Sequence, residues 1–208
     1  MERVTSTPWR EILSKKPIRG LIAAYFTNVF AGYTIMWWFP TFMDEALHFS
    51  STQIMLYGAL LGIATFIGMN ASGWTADHMI RRGISLSSSR KMPMYAGILG
   101  GALFLTLTAF LNSPVPTVLC LLMASFFSGL CVAPYWALTV DLAPRHAGTV
   151  AGIMNTSGNL AGIISPMLIG FIIGATGEWS YIFLIAAAVA LVGLVIIATS
   201  VSAERVIE

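Results

Sequence analysis

Six apolar stretches of about 20 residues or more dominate the chain, each long enough to cross a ~30 Å hydrocarbon layer as a helix. Hydrocarbon offers no partner to backbone N–H and C=O groups, so a chain of this kind must satisfy them within membrane-spanning helices. Read between charged or Pro/Gly-rich breaks, the stretches are 18–39, 55–75, 92–111, 115–140, 147–174 and 179–201. Residues 1–17 precede them and 202–208 follow as a tail. The expected fold is an all-α membrane protein, a bundle of six transmembrane helices. Composition agrees, with 10% charged residues against about 25% in a soluble domain. A net charge of +2, with basic residues absent from most of the chain, excludes a nucleic-acid binder. Cys120 and Cys131 lie in one stretch, about 16 Å apart on a helix, too far for a disulfide.

The basic residues orient the bundle. Arg3, Arg10, Lys15, Lys16 and Arg19 precede or open the first span, and Arg81, Arg82, Arg90 and Lys91 follow the second. Arg145 follows the fourth span and Arg205 lies in the tail, so all eleven cations fall on one side. The opposite loops carry only Asp44, Glu45 and Glu178. Both termini are therefore expected in the cytoplasm, with the protein multi-pass in the inner (plasma) membrane. The first span is too long for a signal-peptide core and has no small-residue cleavage site before Asp44. Trp37, Trp38, Trp74 and Trp179 fall at span ends, where an indole sits at the membrane interface. Pro134 and Pro166 lie inside the fourth and fifth spans, so those helices are expected to bend or unwind locally.

The fifth span carries the most information. Gly148/Gly152, Gly158/Gly162 and Gly170/Gly174 form three G-x-x-x-G pairs, a pattern that permits close helix approach. Asn155 and Asn159 share the glycine face, about 12–18 Å from the cytoplasmic end and so near the bilayer midplane. Ile153, Leu160, Ile164, Leu168 and Phe171 occupy the far side. Two carboxamides in hydrocarbon need partners. They either hydrogen-bond neighbouring helices or face an aqueous cavity, where midplane solute sites lie. Span one offers a second such set, Tyr25, Asn28 and Gly32 on one face with Tyr33 one position off it. Two polar midplane faces favour the cavity.

The run Gly73-Trp-Thr-Ala-Asp77-His-Met-Ile-Arg81-Arg82-Gly83 resembles the loop motif G-x-x-x-D-R-x-G-R-R of the major facilitator superfamily, with His78 and Ile80 departing from it. Trp136 to Pro144, then Ala147 through Asn155, Asn159 and Pro166, resembles helices ten and eleven of that superfamily's anion:cation symporter branch. Hexuronate, galactonate, phthalate and vesicular glutamate-type carriers belong there. The Trp37-Trp38-Phe39-Pro40 close of span one suits its helix seven. The resemblance covers the C-terminal six helices of a twelve-helix fold. It implies that Tyr25, Asn28, Tyr33, Trp136, Asn155 and Asn159 help line a central cavity, though Trp136 also suits an interfacial anchor near its span end. It further implies that Gly73, Asp77, Arg81 and Arg82, with Asp141 and Arg145, gate the cytoplasmic entrance. Asp77 would meet a helix N-terminus of the other half. The plainer reading makes Asp77 a surface charge four residues from Arg81, and lets Asp141 pair with Arg145 across the Pro144 turn.

No Asp, Glu, Lys or Arg lies inside a span, Arg19 standing at the start of its helix. Proton relays and ion pathways ordinarily use such groups, and the family keeps them chiefly in the N-terminal six helices. The chain is thus expected to need an N-terminal six-helix partner bundle. With it, the chain would move a small organic anion, a sugar acid or other carboxylate, by alternating access coupled to H+ or Na+. No cofactor or metal is expected. An enzyme is disfavoured because His48, His78 and His146 all lie in loops and no H-E-x-x-H motif exists. A channel lacks its charged rings. The alternatives are a truncated, non-transporting membrane fragment, with Met1-Glu2-Arg3 an internal start, or half of a sugar or drug carrier.

Overall fold

The computed structural model describes residues 8–203. Arg3, Arg205, the Met1-Glu2-Arg3 start and all but two residues of the tail lie outside the described residues. Seven α-helices follow one another: α1 (Trp9–Ser14), α2 (Lys16–Glu45), α3 (Ser51–Arg81), α4 (Leu86–Ala109), α5 (Pro114–Leu142), α6 (Ala147–Thr176) and α7 (Ser180–Ser200). A 3-10 turn over Pro144–His146 joins α5 to α6.

Local chemistry sets the helix ends. The Ser50 hydroxyl accepts the Gln53 backbone N–H at 3.4 Å while the Gln53 side chain accepts the Ser50 N–H at 2.9 Å, a capping box that starts α3. Ser85 accepts from the Ser88 N–H at 3.2 Å and starts α4. Gly177, at φ +69°, ends α6 in a left-handed conformation that a side chain would strain.

The long helices pack in a repeating scheme. α2 packs along α6 and α7, α5 packs along α3 and α4, and α4 meets α7. Exchanging α2–α4 for α5–α7 leaves this scheme unchanged. Each unit has three long helices joined by loops of three to five residues, so the second unit enters from the opposite end. Such an arrangement is an inverted repeat. Ile12, Ile18, Leu142, Val150 and Val201 form a core at the basic end, and Phe39, Phe42, Leu105, Leu121 and Phe183 one at the other.

Three features differ from expectation. Among the described residues five helices are long and apolar enough to cross a membrane, and α2 is not one of them. It is 30 residues long, but Tyr25, Asn28, Tyr33, Thr34, Trp37 and Trp38 dilute its apolar content. It also continues past Pro40 to Glu45, because Phe42 packs on Phe183 with ring centroids 4.9 Å apart and holds the last turn. Finally, the N-terminal segment contains α1, pinned by the fully buried Ile12.

Candidate functional site

The seam between α2 and α6 is built from aromatic rings seated on glycines. A Cβ at Gly158 would lie 2.6 Å from the Tyr25 ring, one at Gly162 2.8 Å from Tyr33, and one at Gly170 3.0 Å from Trp38. Gly148, Gly152 and Gly174 face open space. The G-x-x-x-G pattern thus provides slots for side chains rather than a backbone crossing. Trp38 is consequently not a lipid-facing anchor, since it packs between Gly170 and Trp179. Two hydroxyl contacts add to the seam: Thr34 and Ser165 hydrogen-bond at 2.7 Å, and the Ser157 hydroxyl donates to the Ile22 carbonyl at 3.2 Å. Tyr135 on α5 donates to the Ala24 carbonyl at 2.9 Å. These four polar side chains, not the asparagines, stitch α2 to its neighbours.

Asn155 and Asn159 are exposed on α6. The Asn159 amide donates only to the Asn155 carbonyl of its own helix, at 3.0 Å. Among the described residues, neither carboxamide hydrogen-bonds to another helix. Tyr25 stands beside them against Gly158, its ring edge-on to Tyr135 at 5.2 Å and to Trp136 at 6.2 Å. Trp136 is 42% exposed, so the aromatic group reaches the same open face. Asn28 and Gly32 line an adjoining narrow cleft of about 30 Å³ with Gly97, Gly101, Ser128 and Cys131. Tyr33 lies further along α2, half-buried on Gly162. The structure thus brings Tyr25, Trp136 and the α6 amide face together, with Asn28 in the neighbouring cleft. This face can donate and accept hydrogen bonds and stack a planar group. It offers no formal charge.

The predicted gating residues gather at the basic end. Gly73 is half-buried on α3, and Asp77, Arg81 and Arg82 are exposed at its close. Asp77 and Arg81 do not form an ion pair; among the described residues Arg90–Asp141 is the single one, at 2.8 Å. Asp141 therefore does not pair with Arg145 as its spacing suggested. Pro144 ends α5 and turns the chain, so positions 141 and 145 no longer share a helical face. The Asp141 carboxylate instead meets Arg90 across the α4–α5 seam, with side chains 14% and 18% exposed. His78, which departs from the loop motif, stacks on Trp74 with ring centroids 5.4 Å apart.

Sequence comparison matches residues 2–166 and, overlapping them, 89–206 to the Major Facilitator Superfamily. A probable anion transporter 4 of rice chloroplasts (Oryza sativa subsp. japonica) is 34% identical over 207 residues, covering all of this chain and 35% of the relative. A probable sulfoacetate transporter of Cupriavidus necator is 30% identical over 191 residues, covering 90% of this chain and 43% of the relative. The chain therefore spans well under half the length of these relatives. Its fold matches a solved E. coli fucose:proton symporter with a TM-score of 0.76 at 16% identity, over 91% of this chain and 44% of that one.

Proposed function

We propose, from the premise that the chain belongs to the Major Facilitator Superfamily, that it is the C-terminal six-span half of a secondary active transporter for a small organic anion. In this reading α2 is the sixth span, crossing the membrane where lipid does not have to tolerate all of its polar face. The cluster of half-buried Tyr25 with exposed Trp136, Asn155 and Asn159 carries the proposal. Midplane amides with no partner in their own bundle would be costly against lipid, and they suit one wall of a solute cavity whose other wall is a second bundle. Asn28 and Tyr33 extend that wall. The anion relatives support the solute class. Amide and phenol donors would orient its carboxylate or hydroxyls, while the countercharge and the H+ or Na+ coupling group would come from the N-terminal half. The basic end is assigned to the cytoplasm by the positive-inside rule, in a plasma membrane. There Gly73, Asp77, Arg81 and Arg82 would meet the partner bundle, with Arg145 beside them and Asp141 holding α5 to α4.

Co-expression with the N-terminal six-helix half of a related anion carrier tests this. Uptake of a labelled carboxylate, sulfoacetate first and hexuronates next, is expected under a proton or sodium gradient. Asn155→Ala is expected to abolish it at unchanged membrane abundance. A fall in abundance instead would make the amide structural. Stable insertion without uptake beside any partner half would identify a non-transporting fragment.

A further inference from the structure

The α2–α6 seam has a second side. An open groove of about 470 Å³ runs beside it, walled by Ile22, Phe26, Ile153 and Ile196, with Leu13 of α1 and Arg19 also lining it. We infer that this groove holds one acyl chain of an anionic phospholipid, whose phosphate is bound by Arg19.

The lining argues for hydrocarbon. Its two hydroxyls are already satisfied, Thr27 by the Ala24 carbonyl at 2.8 Å and Ser157 by the Met154 carbonyl at 2.7 Å, with the Ile22 carbonyl at 3.2 Å sharing the same proton. A polar occupant would find no free donor along the walls and would lose its hydration. Arg19 to Thr27 covers about 12 Å along α2, close to one leaflet of a ~30 Å hydrocarbon core. The groove therefore has the depth of a single acyl chain entering from the basic end.

The mouth argues for an anion. Arg19 is the charged residue of the lining, and among the described residues it forms no ion pair. Its guanidinium can present a planar fork to a phosphate. Arg10, Lys15 and Lys16 lie in the preceding turn and arm, with Glu11 the one acid among them. Such a cluster favours an anionic leaflet. At 100° per residue, Ile153 and Ser157 lie about 160° round α6 from Asn155, and Ala23 and Thr27 the same angle round α2 from Tyr25, with Ile22 at the boundary between the two faces. This site is thus separate from the proposed solute face and stands whether or not the chain transports.

Native mass spectrometry of the full chain, mixed with equal amounts of phosphatidylglycerol and phosphatidylcholine, tests it. One phosphatidylglycerol adduct is expected, in about fivefold preference over phosphatidylcholine. Arg19→Gln should bring that ratio near one, and Ile153→Trp or Ala23→Trp should remove both adducts at unchanged elution volume. Equal retention of the two lipids by the unaltered chain would overturn the inference. So would a preference that survives Arg19→Gln, adducts that persist in both groove-filling variants, or a dimer in place of the adduct.

Discussion

The α3–α5 seam and the α2–α6 seam occupy equivalent places in the two halves of the bundle, yet different chemistry closes them. Between α3 and α5 the backbones touch. A Cβ at Gly68 would run into the Phe126 carbonyl oxygen, and one at Gly129 into the Thr65 carbonyl oxygen. Between α2 and α6 the glycines face rings and methyls, and hydroxyls bridge the rest. A backbone contact has one geometry, whereas a ring on a glycine can tilt without breaking a hydrogen bond. The first seam is suited to a fixed framework. The second leaves its side chains room to shift, and it is the one that carries the exposed amides.

The largest expected effect lies in the rigid seam. Gly68→Ala and Gly129→Ala should each destabilise the chain by about 3 kcal/mol, whereas Gly158→Ala should cost about 1 kcal/mol because Tyr25 can shift. Thermal melts in detergent would measure both, and equal losses would abolish the distinction between the seams. Next comes the ion pair beside the rigid seam. Asp141→Asn strands Arg90 in a largely buried place and should cost about 2 kcal/mol, between the values for exposed and buried pairs. Adding Arg90→Gln should recover part of that loss in a double-mutant cycle.

Smaller again is the hydroxyl bridge of the adjustable seam. Thr34 already donates to the Phe30 carbonyl at 2.8 Å, so Ser165→Ala leaves no buried donor without a partner. Its cost should be about 0.6 kcal/mol, typical of interhelical hydrogen bonds in membranes. A loss above about 2 kcal/mol would mean that this seam is as fixed as the other. Asn155→Ala and Asn159→Ala should change the melting temperature least, by less than about 0.5 kcal/mol equivalent, while removing uptake in the assembled carrier. That split between stability and transport sharpens the contrast further.

Much of this was legible along the chain. The apolar runs mark where long helices form, and the loop and amide motifs point to the family. The two seams were less legible. Six glycines on α6 read as a close crossing, yet the α3–α5 backbone crossing is made by Gly68, which belongs to no G-x-x-x-G pair, and by Gly129, the single glycine of α5. The spacing Gly68, Ser72, Ala76, small residues every fourth position on the buried stripe of α3, is a signal that would have found the first of them. Arg90 as the partner of Asp141 had no local signature, because 51 residues separate them. Nor did α1, whose six residues are too few to fold without the core that Ile12 enters.

The residue order alone determined that the chain makes long, mostly apolar helices and which ends share the positive charge. Those properties depend on each segment's own length, hydropathy and flanking residues. Tertiary structure decided which face of each helix turns inward. In a lipid environment the outside of a bundle is as apolar as its inside, so hydrophobic periodicity does not separate the two. Only the fit of Tyr25 against Gly158, or of one backbone against Gly129, makes that choice. The same fit left Asn155 and Asn159 exposed on α6.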